Sequence, residues 1–166
     1  MAGFKGQAEN TIDSKGRMPV PAKLRDFMPK AARGAFVVTQ GMESCIVLYP
    51  VTVWDEDIEP MVEALDMFDK EQALLARRMM MWCDEVTMDG QYRVSFPANL
   101  MELVGLKPGD KAKVLGIGNR IEVWAPASFA AYLNGSALSA ADLAQKHLSS
   151  KRSRLMVGRT SSVFRS

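Results

Sequence analysis

A short turn that carries two basic side chains is the segment of this sequence best suited to chemistry. It runs from Asp13 to Arg17 and reads Asp-Ser-Lys-Gly-Arg. Gly16 permits the positive φ of a tight turn, and Asp13 can accept hydrogen bonds from the backbone amides that follow it. Lys15 and Arg17 are then expected to project close together from a rigid loop. A guanidinium matches phosphate oxygens or the edge of guanine, and lysine offers phosphate a compact charge, so this pair indicates contact with DNA.

A second version of the turn runs from Asp89 to Arg93, at an offset of 76 residues from the first. It keeps the aspartate and the arginine, but Gln91 stands in place of the lysine and Tyr92 in place of the glycine. Glutamine can still bond to a base or a phosphate, so we expect Gln91 and Arg93 to contact DNA as well. Asp89 and Gly90 are expected to shape this second turn.

An aspartate and an arginine four residues apart can also pair with each other and hold a turn that binds nothing. This structural role is the simpler explanation for Asp13 and Asp89. It explains Lys15 and Arg17 less well, because a turn does not require two basic residues. For Arg93 both roles stay open, since its copy of the turn lacks the lysine.

The similarity between the two turns extends into the segments that follow them. An aspartate, an arginine, a Pro-Ala pair and a leucine coincide at the same offset. After a shift of one residue further positions match, as Gly41 does with Gly116 and Tyr49 with Trp124. About 45 residues match in order, which a duplicated unit with a single insertion or deletion explains. The sequence therefore predicts two copies of one small unit.

Each copy shows the same order of elements. A short strand follows the turn, at residues 17–21 and 93–97, and its prolines cannot donate to a central ladder, so it should be an edge strand. A short helix is predicted to begin near Pro21 and Pro97. Two further strands then close each unit through a hairpin. They are predicted at 35–39 and 45–49, and at 111–115 and 120–124, the last two joined by a loop at 116–119.

Helical patterns lie between the copies and after them. Apolar residues at helical spacing predict a helix from 52 to about 81, which Pro60 should kink or divide. Asp69 and Gln72 are typical of a capping box that opens the second part of this region. Further helices are predicted near 128–133 and at 139–148.

These patterns predict an α+β, β-rich fold built from two tandem units. The units are predicted at 7–54 and 83–127, with a helical linker at 55–82, C-terminal helices at 128–148 and a tail at 149–166. The tail contains basic residues and no acidic ones, and we interpret it as disordered.

Composition and the rare reactive residues argue against several classes of function. The net charge is +2, so the distribution of charge must decide whether nucleic acid is a partner. Cys45 and Cys83 lie far apart beside apolar residues, and His147 is the single histidine, which argues against a disulfide framework and a zinc site. No apolar run has the length of a membrane span, and no signal peptide is recognisable. We therefore expect a cytoplasmic protein with no catalytic site, metal, cofactor, membrane or small-molecule substrate.

Together these motifs resemble the MraZ family. The resemblance rests on the turn at 13–17 followed by Pro-Val-Pro, on Tyr49-Pro50 with Trp54 soon after, and on the second turn, and it covers about residues 3–133. It implies two swapped-hairpin β-barrel units of the SpoVT-AbrB superfamily in each chain, and a ring-shaped homo-oligomer. It also implies a nucleoid-associated regulator that binds double-stranded DNA at repeated sites upstream of the division and cell-wall gene cluster, and represses that cluster. Tyr92 departs from the family pattern, which usually has glycine there, and the basic tail is not part of that pattern.

Three other functions stay open. A structural or interaction protein would form a ring or a filament through the helix at 54–65 and the segment at 79–82, without binding DNA. A hydrolase would use Asp13, Asp89 and a metal, but the sequence offers no nucleophile paired with a base and no loop that cradles phosphate. The superfamily includes antitoxins, which makes an antitoxin-like role the third alternative.

DNA binding would depend on a ring that repeats a weak contact, so that each added contact is intramolecular.

Overall fold

The strands of the two copies interleave in one sheet in the computed structural model, which describes residues 3–148. The first copy contains β1 (Phe4–Thr11), β2 (Arg17–Pro19), α1 (Ala22–Arg25), a 3-10 turn (Lys30–Ala32), β3 (Ala35–Gln40) and β4 (Ile46–Pro50). The connecting region contains α2 (Val51–Val53), a π-helical turn (Trp54–Ile58), α3 (Glu59–Glu63) and α4 (Lys70–Met80). The second copy contains β5 (Asp84–Thr87), β6 (Arg93–Ser95), α5 (Ala98–Leu103), β7 (Lys111–Gly118) and β8 (Arg120–Trp124), and α6 (Pro126–Asn134) follows. This strand-rich mixture confirms the predicted α+β class.

Neither copy completes the sheet by itself. The strand order is β1-β7-β8-β4-β3-β5, and each neighbouring pair is antiparallel. β1 pairs with β7 along its whole length, from Phe4 opposite Gly118 to Thr11 opposite Lys111. β5, the equivalent strand of the second copy, pairs with β3 of the first. Each copy therefore gives its first strand to the other, and this covers an edge that would otherwise expose unpaired backbone groups.

A local two-fold axis relates the two copies. In the pair formed by β4 and β8, the equivalent residues Val47 and Glu122 face each other. β2 and β6 form a separate two-stranded sheet, the β2–β6 ribbon, in which the equivalent residues Met18 and Val94 face each other. The ribbon thus brings together the two strands that follow the Asp-x-x-x-Arg turns.

One apolar core is shared by both copies. Its fully buried side chains include the equivalent pairs Met18 with Val94 and Leu24 with Leu100. Burying a side chain of this size stabilises the fold by about 1.5–3 kcal/mol. Since these residues lie on the ribbon strands and on α1 and α5, the two turns are attached to well-packed elements.

The region between the copies is divided, but not at Pro60 as predicted: helical structure continues from Val51 to Glu63, and the break before the second helix lies at residues 64–69. The π-helical turn from Trp54 to Ile58 comes first, and Pro60 then lies in the first turn of α3. Proline lacks an N–H and its ring clashes with the carbonyl four residues earlier, so a widened turn ahead of it relieves the conflict. Asp69 caps α4, because its Oδ1 accepts from the backbone N–H of Gln72 at 2.9 Å, which confirms the predicted helix start. The Gln72 side chain accepts from the backbone N–H of Asp66 at 2.8 Å. It therefore does not accept from the N–H of Asp69, which a complete capping box would require.

The predicted loop at 116–119 is wrong in extent. β7 continues to Gly118 and β8 begins at Arg120, so Asn119 alone lies between the two strands. A Cβ atom on Gly116 would lie 2.5 Å from the backbone nitrogen of Lys5. The glycine at 116 therefore permits the close approach of β1. Its presence suggested a loop, although the segment is part of strand β7. The predicted strand at 17–21 is also shorter, since β2 ends at Pro19.

The chain divides into two compact units after Phe129. The helix predicted near 128–133 is confirmed by α6. Residues 140–148 are helical as well, and Ser139 and Asp142 cap this helix reciprocally, each accepting from the other's backbone N–H at 3.1 Å. The predicted basic tail at 149–166 lies outside the described residues.

Candidate nucleic-acid interface

The β2–β6 ribbon places the two Asp-x-x-x-Arg turns beside each other. Backbone hydrogen bonds extend the pairing beyond the strands, because the N–H of Val20 donates to the carbonyl of Tyr92 at 2.9 Å. The equivalent N–H of Phe96 donates to the carbonyl of Gly16 at 3.0 Å. Each turn is thereby fastened to the chain that leaves the ribbon strand of the other copy.

The first turn is held by the carboxylate of Asp13. Its Oδ1 accepts from the backbone N–H groups of Lys15 and Arg17, both at 2.9 Å, and its Oδ2 accepts from Nε of Arg17 at 2.8 Å. The hydrogen bond from the Arg17 backbone is the main cause that holds the pKa of Asp13 below its ordinary value, and the Arg17 side chain contributes as well. Gly16 adopts φ 77°, and a Cβ atom there would lie 3.2 Å from Cε of Met101.

The second turn repeats this arrangement around Asp89. Its Oδ1 accepts from the N–H groups of Gln91 at 2.8 Å and of Arg93 at 3.0 Å, and its Oδ2 accepts from Nε of Arg93 at 2.8 Å. The Arg93 backbone N–H is again the main cause of a lowered pKa, here that of Asp89. The left-handed residue is Tyr92, with φ 60°, whereas Gly90 has no positive φ. Gly90 therefore does not supply the backbone freedom that its type suggested.

The two arginines are only partly exposed. Their side chains are 28% accessible for Arg17 and 24% for Arg93. Nε of each is occupied by the aspartate of its own turn, so only the terminal amino groups can meet a ligand. An ion pair also connects the two turns, because a terminal nitrogen of Arg93 lies 4.0 Å from Oδ2 of Asp13. Both guanidinium groups are therefore held in place before any ligand arrives.

The residues between aspartate and arginine face solvent. Lys15 and Gln91 are exposed, and so is Ser14. Tyr92 is 51% accessible. The ribbon thus gathers the four predicted contact residues, Lys15, Arg17, Gln91 and Arg93, on two adjacent rigid turns.

Sequence reasoning missed one residue at this site, Arg25 of α1. Its Cζ atom lies 3.8 Å from the centroid of the Tyr92 ring, which is a cation–π distance. Nε of Arg25 is buried and has no hydrogen-bond partner among the described residues. The repeat itself contained a signal, since Arg25 and Met101 are equivalent at the same offset that relates Tyr92 to Gly16.

The described residues also include two free cysteines, of which Cys45 is buried and Cys83 is partly buried. Burial raises the pKa of Cys45 to about 12 and also raises that of Cys83, so both thiols stay protonated at neutral pH. Within residues 3–148, no cluster of three histidine, cysteine, aspartate or glutamate side chains is arranged to hold a metal ion. No helix in this part of the chain has the length and apolar character needed to span a membrane.

Comparison with known proteins gives a consistent result. The family described as "MraZ protein, putative antitoxin-like" matches the chain twice, at residues 4–78 and 79–151. Curated relatives named "Transcriptional regulator MraZ" include one from Cytophaga hutchinsonii, 35% identical over 148 residues that make up 89% of this chain and 96% of the relative. Another, from Roseiflexus sp. (strain RS-1), is 34% identical over 143 residues, or 86% of this chain and 95% of the relative.

Among solved structures, the solution structure of PHS018 from Pyrococcus horikoshii covers 76% of this chain and 98% of its own. Its 19% identity and TM-score of 0.33 are too low to bear on fold or function. The two consecutive matches of the family model and the long alignments to curated relatives agree with the duplicated turn and its shared ribbon. The chain belongs to the MraZ family.

Proposed function

We propose that this protein is a transcription regulator that binds double-stranded DNA through its two turns. The observation that carries the proposal is the β2–β6 ribbon, which holds two aspartate-clamped turns side by side with Lys15 and Gln91 exposed. Because Asp13 and Asp89 fix the turn backbones and the arginine Nε atoms, little conformational freedom is lost when a phosphate or a base edge is bound. The name of the curated relatives supports a regulatory and non-enzymatic role.

Assembly supplies the affinity that one chain lacks. One ribbon offers only a few cationic groups, and the net charge of the chain is +2, so a single contact is weak. In the homo-oligomeric ring that we propose, the ribbon recurs at regular spacing and each added contact is intramolecular. DNA that carries repeated short sites matches such a ring, and the upstream region of the division and cell-wall gene cluster is the proposed target. Occupation of that region represses the cluster and keeps the cytoplasmic protein associated with the nucleoid.

The test compares Lys15→Ala with Lys70→Ala in gel-shift titrations on duplex DNA from upstream of the protein's own gene. Lys15 lies on the first turn and Lys70 opens α4, and both are exposed, so the two variants lose the same charge from different surfaces. We expect Lys15→Ala, and more strongly Arg17→Ala, to weaken binding, whereas Lys70→Ala binds like the parent. The dependence on salt should be steep, since each phosphate contact contributes about −0.9 to the slope of log K against log salt.

Two outcomes contradict the proposal. The parent protein can fail to bind any upstream duplex at low ionic strength, or Arg17→Ala can bind normally while it keeps the parent's oligomeric size. Size-exclusion chromatography of each variant provides that control.

A structural or interaction protein that assembles without DNA is the second candidate. Large apolar side chains are exposed in the region that connects the copies, with Phe68 99% accessible, Met61 61% and Met81 64%. Such a surface is typical of a subunit contact. This candidate predicts an oligomer of the same size whose DNA affinity is absent at every salt concentration.

A further inference from the structure

The two turns of the ribbon do not carry the same charge. In the first turn, Asp13 is balanced by both Lys15 and Arg17, which leaves one positive charge. In the second turn, Asp89 and Arg93 cancel, because glutamine stands where the first turn has lysine. A surface that binds phosphate with both turns therefore lacks a cation at the second one, unless another element provides it.

Arg25 of α1 provides a cation beside the second turn. Its Cζ atom lies 3.8 Å from the centroid of the Tyr92 ring, and Tyr92 stands between the two predicted contact residues Gln91 and Arg93. The ring is half-exposed, and Arg25 itself is partly exposed. With Arg25 included, the second turn has the same net charge as the first.

This contact is specific to the second turn. At the offset of 76 residues, Tyr92 corresponds to Gly16 and Arg25 to Met101. The first turn keeps the same neighbours, because a Cβ atom on Gly16 would lie 3.2 Å from Cε of Met101. An apolar side chain above a glycine in one copy is thus replaced by a cation above an aromatic ring in the other.

The charge of Arg25 is not neutralised by the fold. Arg17 and Arg93 each donate to an aspartate at 2.8 Å, but no ion pair of the described residues includes Arg25. Its Nε is buried without a hydrogen-bond partner in that part of the chain. A guanidinium that is held by a ring and forms no ion pair with a carboxylate of the described residues is suited to an external anion.

We propose that Arg25 contacts a DNA phosphate next to the second turn, with Tyr92 as the residue that positions it. The proposal rests on the proposed function and adds to it a contact residue that lies outside both turns. Tyr92 acts through its ring, which has a flat face for the guanidinium. Its left-handed backbone holds that ring at the edge of the ribbon.

The experiment measures DNA affinity over salt concentrations of about 50–200 mM for Arg25→Met, which installs the residue of the equivalent position. For each subunit that contacts DNA, we expect a loss of about tenfold in affinity at the lowest salt and a salt slope reduced by about 0.9. Arg25→Lys keeps the charge and should restore most of the slope. Tyr92→Phe keeps the ring and should behave like the parent, whereas Tyr92→Gly should lose affinity as Arg25→Met does.

The outcomes separate this inference from the function on which it rests. If the parent protein and Lys15→Ala behave as proposed but Arg25→Met keeps the parent's salt slope, Arg25 is only structural and the inference is overturned. If the parent does not bind DNA, the proposed function itself fails. Thermal unfolding and oligomeric size are measured for every variant, and Arg25→Gln serves as a second neutral variant should Arg25→Met not fold.

Discussion

Each of the two aspartates organises a complete turn with one carboxylate. Asp13 accepts three hydrogen bonds, two from backbone N–H groups and one from the Arg17 side chain, and Asp89 does the same in its copy. The structural and the functional interpretations of these residues are therefore compatible. The aspartate shapes the turn, and the arginine that it holds keeps terminal donors for a ligand.

The lowered pKa values predict how stability depends on pH. Folding depresses the pKa of Asp13 below 3.8, so its bonds stabilise the fold fully above that pH and are lost as the pH falls through the folded-state pKa. We expect Asp13→Asn to lower the urea midpoint at neutral pH, because the amide keeps an acceptor for the backbone but loses the charge that faces Arg17. The difference in urea midpoint between Asp13→Asn and the parent should shrink as the pH falls below 3.8. Asp57→Asn is the matched control, because Asp57 is an exposed residue of the π-helical turn. A difference between Asp13→Asn and the parent that does not vary with pH would contradict the assignment.

Backbone conformation predicts opposite results for two glycines of the turns. Gly16 has φ 77° and little space beside Met101, so Gly16→Ala should lower the free energy of unfolding by about 1–2 kcal/mol. Gly90 has no positive φ and no atom within 4 Å of the added Cβ, so Gly90→Ala should be neutral or stabilise by up to about 1 kcal/mol. Urea unfolding measures both, and equal destabilisation by the two variants would show that the turns are not held as described.

At this scale the sequence predicted the turn and its candidate contacts from residue type and spacing. It did not predict the approach of Arg93 to Asp13 or the contact between Arg25 and Tyr92. Both depend on the pairing of β2 with β6, which brings together residues far apart in the chain. The position of the left-handed residue was also missed, because glycine at 90 suggested freedom that the backbone uses at Tyr92.

At the scale of elements, strand pairing explains where sequence patterns succeeded and failed. β8 was predicted with its observed bounds, Arg120–Trp124, because its residues alternate and a turn precedes it. β7 was predicted to end at residue 115, since the glycines that follow are typical of a loop. These glycines instead pair with β1, and periodicity within one segment contains no information about a partner from the other copy.

The close pairing of β1 with β7 predicts that one methyl group added at Gly116 lowers stability. A Cβ atom on Gly116 would meet the Lys5 backbone nitrogen at 2.5 Å, which the sheet cannot accept without moving β1. We expect Gly116→Ala to cost about 1–3 kcal/mol and to increase hydrogen exchange of the amides in β1. β3 and β4 should keep their protection, which serves as the internal control. Unchanged exchange in β1 would contradict the described register.

At the scale of the molecule, the exchange of first strands makes the two copies one folding unit. β1 lies on β7 and β5 lies on β3, and the core side chains of both copies are in one cluster. The sequence predicted the duplication and the order of elements, with units at 7–54 and 83–127. The exchange itself was implied by the family resemblance and did not follow from residue patterns.

Separated copies should not fold as monomers. We expect the fragments 1–82 and 83–166 to lack cooperative unfolding on their own, because each lacks the strand that covers its sheet edge. Mixing them should restore the circular dichroism of the intact chain. A monomeric fragment 1–82 that unfolds cooperatively, with its mass checked by sedimentation, would contradict this prediction.

The two copies are related by a local two-fold axis in the ribbon, but their side chains are not identical. In a homodimer every substitution occurs twice, and a symmetric reader favours palindromic targets. The two copies of this chain lie in one polypeptide and are free of that constraint, and the Gly16–Met101 and Tyr92–Arg25 pairs differ between them. The two ends of the ribbon therefore differ, and in the DNA-binding assembly that we propose a row of such asymmetric ribbons is suited to tandem sites that all point the same way.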